Sequence, residues 1–310
     1  MAAELPLRLQ RIAQVFDSSR PLLSSELVFL SDLSPDELKF FKDIWAGADI
    51  SRRYQVISQL VHLSEVDFKL DFSRIFIACQ HDADERVRIQ AITGLEIEEN
   101  YVPIAPLIQT LREDSSAKVR AAAATALGKF AMLAEQGKLP AHYKDEIYAA
   151  LLEVLDNSTE SSEVKRRALE AISPFSLPRV KELIEQAYHT EDVKLKASAI
   201  YAMGRNCNPV WLNALLSELN NNEAEIRYEA AHACGELGAE EAVPHLLKLT
   251  GDEDAQVQEA AIKALGEIGG EHAKQALNKL AKSRRGRVRQ AAESALKELQ
   301  FCQDPLSLDL

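Results

Sequence analysis

Apolar residues return along this chain at a long fixed period, with a helical short period nested inside it. The stretches "DEDAQVQEAAIKALGEIG" (252–269) and "NNEAEIRYEAAHACGELG" (221–238) superpose without a gap at an offset of 31. We take the polar residue after the leading aliphatic as an anchor. The anchors are then Arg53, Arg88, Arg120, Lys165, Lys196, Arg227, Gln258 and Arg289, the last four steps 31 residues long and the earlier ones 35, 32 and 45. One before the anchor stand Val87, Val119, Val164, Leu195, Ile226, Val257 and Val288. Three after it stand Ala91, Ala123, Ala168, Ala199, Ala230, Ala261 and Ala292. Seven after it stand Leu95, Leu127, Ile172, Met203, Cys234, Leu265 and Leu296. These offsets fall on one face of a helix, which predicts an amphipathic helix B whose central alanine admits a close neighbour.

Six before each anchor lies a small polar residue: Asp82, Asp114, Thr159, Thr190, Asn221, Asp252 or Ser283. Such side chains suit a tight turn and the cap of the following helix. Upstream of each turn runs a second apolar stretch, such as "IAPLIQTL", "VKELIEQAY" and "VPHLLKL". This is a helix A, and Pro106 and Pro244 start or bend it. Gly238, Gly269 and Gly270 follow B helices as stop signals. One helix pair cannot bury both apolar faces, whereas stacked pairs can, so the expected fold is an all-α solenoid.

The pattern "D-x-D-x-x-V-R/Q-x-x-A-x-x-A-L-G-x-I-G" resembles HEAT repeats, most of all the short kind first associated with phycobilisome (bilin) lyase subunits. The resemblance spans about residues 84–300. The 33–64 repeat departs from it, with Arg52 at the aliphatic position and Gln59 where a small residue is usual. The resemblance implies about eight stacked antiparallel helix pairs over 33–300 in one continuous superhelical domain. It also implies that the anchor base pairs with turn acids nearby.

Residues 1–32 are expected to form an N-terminal helical cap and 301–310 a flexible tail. "SPDELKFFKDIW" carries a strong start signal at Ser34, with proline at the first helical position and acids in the first turn. The 45-residue step predicts an extended B helix, a loop near Gln136–Pro140 and a new A helix from Ala141.

Charge narrows the function classes. With 36 Lys and Arg against 48 Asp and Glu, the net charge is −12. That balance disfavours nucleic acid and anionic membrane surfaces as partners. The local exception is "KSRRGRVR" (282–289), in the last A–B turn. Arg289 there is an anchor, while Arg284, Arg285 and Arg287 form a secondary basic patch without aromatics for base stacking. Cys79, Cys207, Cys234 and Cys302 are scattered, without disulfide or zinc spacing, and read as reduced, mostly buried thiols. "MAAELPLRLQ" is not a signal peptide and no apolar run approaches a membrane span, so the expected location is cytoplasmic.

The catalytic chemistry open to this repeat type is that of deoxyhypusine hydroxylase, which the repeat resembles. That resemblance places His-Glu pairs one and two residues after the anchor in four repeats, to hold two irons. The corresponding pairs here include Ala121-Ala122, Arg166-Arg167, Ala197-Ser198 and Tyr228-Glu229, and only Glu229 keeps a required ligand type. No metal or other cofactor is expected. A bilin lyase-like subunit binding a small molecule is the alternative function. The leading expectation is a monomeric, non-enzymatic scaffold that binds a protein or peptide through the concave face of its B helices. Offsets +1, +2 and +5 place Thr93, Arg166, Ser198, Tyr201, Tyr228, Glu229 and His232 on that face, with Tyr201, Tyr228 and His232 as neighbours.

Overall fold

The computed structural model describes residues 6–97 and 100–303, and 304–310 of the expected tail lie outside that range. The described residues are helical, joined by turns, and form two compact units, 1–171 and 172–310. In the first unit, α1 (Leu7–Val15) and α2 (Ser24–Leu27) precede three helix pairs. These are α3 (Pro35–Gly47) with α4 (Ile50–Val66), α5 (Ser73–Cys79) with α6 (Glu85–Ile97), and α7 (Ile104–Glu113) with α8 (Ala117–Glu135). Next come α9 (Ala141–Asp156) and α10 (Ser162–Ile172), which ends at the boundary between units. In the second unit α11 (Pro178–Tyr188) pairs with α12 (Val193–Asn206), and α13 (Leu212–Glu218) with α14 (Ala224–Leu237). The last pairs are α15 (Val243–Leu249) with α16 (Ala255–Ile268), and α17 (Gly270–Leu280) with α18 (Gly286–Gln303). The chain is an α-solenoid: α4, α6 and α8 pack side by side in one unit, and α12, α14, α16 and α18 in the other.

The local signals act as their chemistry requires. Ser34 and Glu37 close a reciprocal capping box at the start of α3, with Pro35 in its first turn. The long step is an elongated α8 ending at Glu135, a turn with Gly137 at φ 69°, and α9 from Ala141. The small polar residue at −6 governs the turn rather than the helix cap. Asp114 Oδ1 accepts from the Ser116 backbone N–H (2.8 Å), and Asp252 Oδ1 from that of Asp254 (2.9 Å). The cap itself sits at −4, where Ser116, Asp192 and Asp254 accept from the first-turn N–H groups.

Anchors and turn residues join consecutive repeats. Arg88 donates to both carboxylate oxygens of Asp114 (2.8 and 3.0 Å) and to the carbonyl of Asp82 in its own turn (2.9 Å). Arg120 does the same with Glu160 (2.9 and 2.7 Å), and Arg227 with Asp252 (both 2.8 Å). Arg53 reaches Asp82 (2.7 Å), and Lys196 reaches Glu218 (2.8 Å). Where an acid is held, it belongs to the next repeat, and Arg88, Arg120 and Arg227 each clamp two turns at once. Glu218 also accepts from the Tyr188 hydroxyl (2.7 Å); burial, with that bond, pushes the hydroxyl up to about 12, so it stays protonated.

Between adjacent B helices the contact is backbone-close. A Cβ built on Gly204 would lie 2.7 Å from the Cα of Ala233, and one on Gly235 would lie 2.9 Å from that of Ala264. The core stripe is fully excluded from water at Leu95, Leu127, Met203, Cys234 and Leu265.

The departure at Arg52 has a structural cause. Its side chain is buried, and the guanidinium donates to the carbonyls of Asp17 and Arg20 in the loop after α1. Phe16 from the same segment packs edge-on against Phe41 and Trp45, at 5.5 and 5.8 Å. The first repeat exchanges an aliphatic for a cation because the segment after α1 turns backbone carbonyls toward that position, where the guanidinium meets them.

Candidate functional site

The B-helix face of the second unit carries an open groove of ≈ 610 Å³ across α14, α16 and α18. Its walls are polar and come from repeated offsets. Tyr228, Glu259 and Gln290 stand at +1, and His232, Lys263 and Ser294 at +5. Buried Ala260 and Ala295 form part of the floor, and Arg287 and Glu298 close the α18 side. Tyr228 is exposed. The His232 ring stacks parallel to that of Tyr201, with centroids 6.3 Å apart and planes at 9°. His232 Nδ1 is shielded from water without a hydrogen-bond partner. One turn further along, Glu236 takes the Arg205 guanidinium on one oxygen (3.1 Å), while its other oxygen is buried and unpaired.

The sequence-predicted residues separate by position. His232 stacks on Tyr201 and lines the groove with Tyr228, and Arg287 of the basic patch stands at the same groove's rim. Glu229 is half-buried on α14 outside the groove. Ser198 offers no surface: it is 2% exposed, because offset +2 on α12 points into the helix packing. In the first unit, Thr93 folds back to donate to the Ile89 carbonyl (3.1 Å), and Arg166 pairs with Glu163 (2.9 Å). Both are half-buried. Arg284 and Arg285 are exposed on the last turn. Sequence reasoning missed Glu259, Lys263, Gln290 and Ser294. The same offsets carried into the last two repeats would have found them.

The thiols divide by position. Cys79 and Cys234 are buried, and burial pushes Cys234 up to about 12, which makes it a poor nucleophile. Cys207 is exposed. Among the described residues no group of three or more His, Cys, Asp or Glu side chains could hold a metal ion, and no helix is long and apolar enough to cross a membrane.

With clamped turns and close B helices in view, comparison with known proteins defines the class. The family described as HEAT repeats matches residues 104–204 and 212–297, and the chain belongs to that family. No curated protein matches it. Among solved structures, the chain is similar to the complex of CpcE and CpcF of phycocyanin lyase from Nostoc sp. (19% identity, 90% of this chain and 97% of that one, TM-score 0.57). It is also similar to yeast importin-beta (12% identity, 98% of this chain, TM-score 0.54), of which it spans 47%. A structure of Kap95p with RanGDP gives the same picture (11% identity, 97% of this chain and 48% of that one, TM-score 0.54).

Proposed function

We propose that this protein is a non-enzymatic interaction scaffold that binds another protein through the B-helix groove of its second unit. The carrying observation is the groove itself. It is open, lined at offsets +1 and +5 by side chains from three successive B helices, and holds exposed Tyr228 beside His232, whose ring stacks on Tyr201. Amphipathic rings flanked by charged groups of both signs suit protein recognition, because the ring supplies contact area while the charges set register. The likeness to structures of protein complexes, CpcE with CpcF and Kap95p with RanGDP, supports a protein partner. The reading also takes the location to be cytoplasmic.

The test is affinity capture with mass spectrometry, comparing wild type with a folded Tyr201→Ala/Tyr228→Ala/His232→Ala variant. A partner held by wild type and lost by the variant supports the groove. A partner held equally by both moves the site elsewhere. The likeness to the phycocyanin lyase complex favours a second reading, a lyase-like subunit that binds a small molecule. A visible absorbance band in the purified protein would favour that reading over the first.

A further inference from the structure

The last A–B turn breaks the clamp seen in the earlier repeats. Arg53, Arg88, Arg120 and Arg227 each hold a carboxylate from the following turn. At the next step both partners change together: the anchor is neutral Gln258, and the residue opposite it is Ser283 instead of an acid. Among the described residues Gln258 keeps only the bond to its own turn, at the Asp252 carbonyl (2.5 Å). The final turn inverts in charge. Residues 282–289 hold five cations (Lys282, Arg284, Arg285, Arg287, Arg289) and no acid, and all five are exposed. Among the described residues none of them has an acidic partner.

Arg289 occupies the anchor register. In three earlier repeats an arginine at that register grips a planar carboxylate with both arms of its fork. We propose that this turn is a docking surface for a carboxylate-rich linear segment of a partner protein, with Arg289 as the bidentate anchor and Arg284, Arg285 and Arg287 as flanking contacts. The helix face beside it explains why the partner is a linear segment and not a stacked repeat. At +4, where inner repeats carry buried Ile200, Ala231 and Ile262, α18 presents exposed Glu293. At +8, where Gly204, Gly235 and Gly266 admit the next helix, α18 presents exposed Lys297. Those two positions of α18 are charged and exposed, and the turn beside them carries the cations. Nucleic acid fits less well, because the turn lacks the aromatic rings on which bases stack. The inference concerns the turn and holds whether or not the groove binds a protein.

The purified full chain is titrated at low salt into a fluorescein-labelled peptide of alternating aspartate and glutamate, read by anisotropy. Wild type is expected to bind, and Arg284→Ala/Arg285→Ala/Arg287→Ala to bind about tenfold more weakly with an unchanged circular dichroism spectrum. Arg289→Lys keeps the charge but loses the fork, so it is expected to bind about threefold more weakly. An oligothymidylate of equal charge is expected to bind less tightly than the peptide. No binding by wild type, equal affinity of the triple variant, or tighter binding of the oligonucleotide would overturn the proposal. Equal affinity of Arg289→Lys would leave bare charge attraction and overturn the anchor's role.

Discussion

At the scale of single residues, burial and backbone conformation set the largest costs. Leu265 is wholly excluded from water at the centre of the stripe on α16. Leu265→Ala is therefore expected to lower stability by about 2–5 kcal/mol, read as a shift of the urea midpoint. Cys207 points the other way. It ends α12 in the left-handed region at φ 51°, where the equivalent residue of α14 is Gly238 at φ 65°. A side chain pays for that conformation and glycine does not. Cys207→Gly should raise the melting temperature, with a gain of about 0.5–1 kcal/mol. A drop would mean that the Sγ contact to the Gly204 carbonyl (3.2 Å) outweighs the backbone term. Leu265 was legible as register at offset +7, whereas Cys207, read only as one of the mostly buried thiols, turns out exposed at the place of a glycine stop. The turn chemistry was legible only in outline. Small polar residues at −6 announce a turn, but which carboxylate meets which arginine depends on the stacking of the following repeat.

Between elements, two devices join one helix pair to the next, and each is open to test. The first is the clamp. Bonds from Arg227 hold the Asp252 carboxyl below its usual range, and bonds from Arg120 do the same for Glu160. A carboxylate with a depressed folded-state value stabilises the fold fully above its unfolded value, about 4, and that contribution is lost as pH falls through the folded value. Wild type should therefore lose stability on acidification below about pH 4. Asp252→Asn should be less stable at neutral pH and show a smaller acid-induced loss; parallel pH curves for the two proteins would remove the clamp from the account. The second device is the close approach of B helices at glycine. Gly235→Ala would drive a methyl against the Ala264 backbone and should cost about 1–3 kcal/mol, whereas Gly286→Ala, with nothing within 4 Å, should cost far less. Comparing the two denaturation midpoints separates steric contact from the general effect of removing a glycine.

At the scale of the whole molecule, the repeat pattern gave the fold, while the site had to wait for the neighbours. Tyr228 and His232 were readable as neighbours on one B-helix face from their offsets; Tyr228 is exposed there and His232 half-buried. Arg287 was readable only as charge, and its place on the same groove rim follows from how α18 lies against α16. The terminal repeat carries a further consequence. A repeat stack exposes an apolar end unless the last unit is altered, and end-to-end association is the cost of leaving it bare. On α18 the receiving positions are altered to Glu293 and Lys297, both exposed. They replace the aliphatic and the glycine that inner repeats use to receive a neighbour. On that basis the wild-type chain is expected to run as a 34.4 kDa monomer in size exclusion with light scattering. Glu293→Ile/Lys297→Gly restores the inner pattern and re-creates a receptive face, so its apparent mass should rise with concentration. A variant that stays monomeric at every concentration would show that the two side chains are incidental, and that something other than this polar pair keeps the end of the stack from pairing.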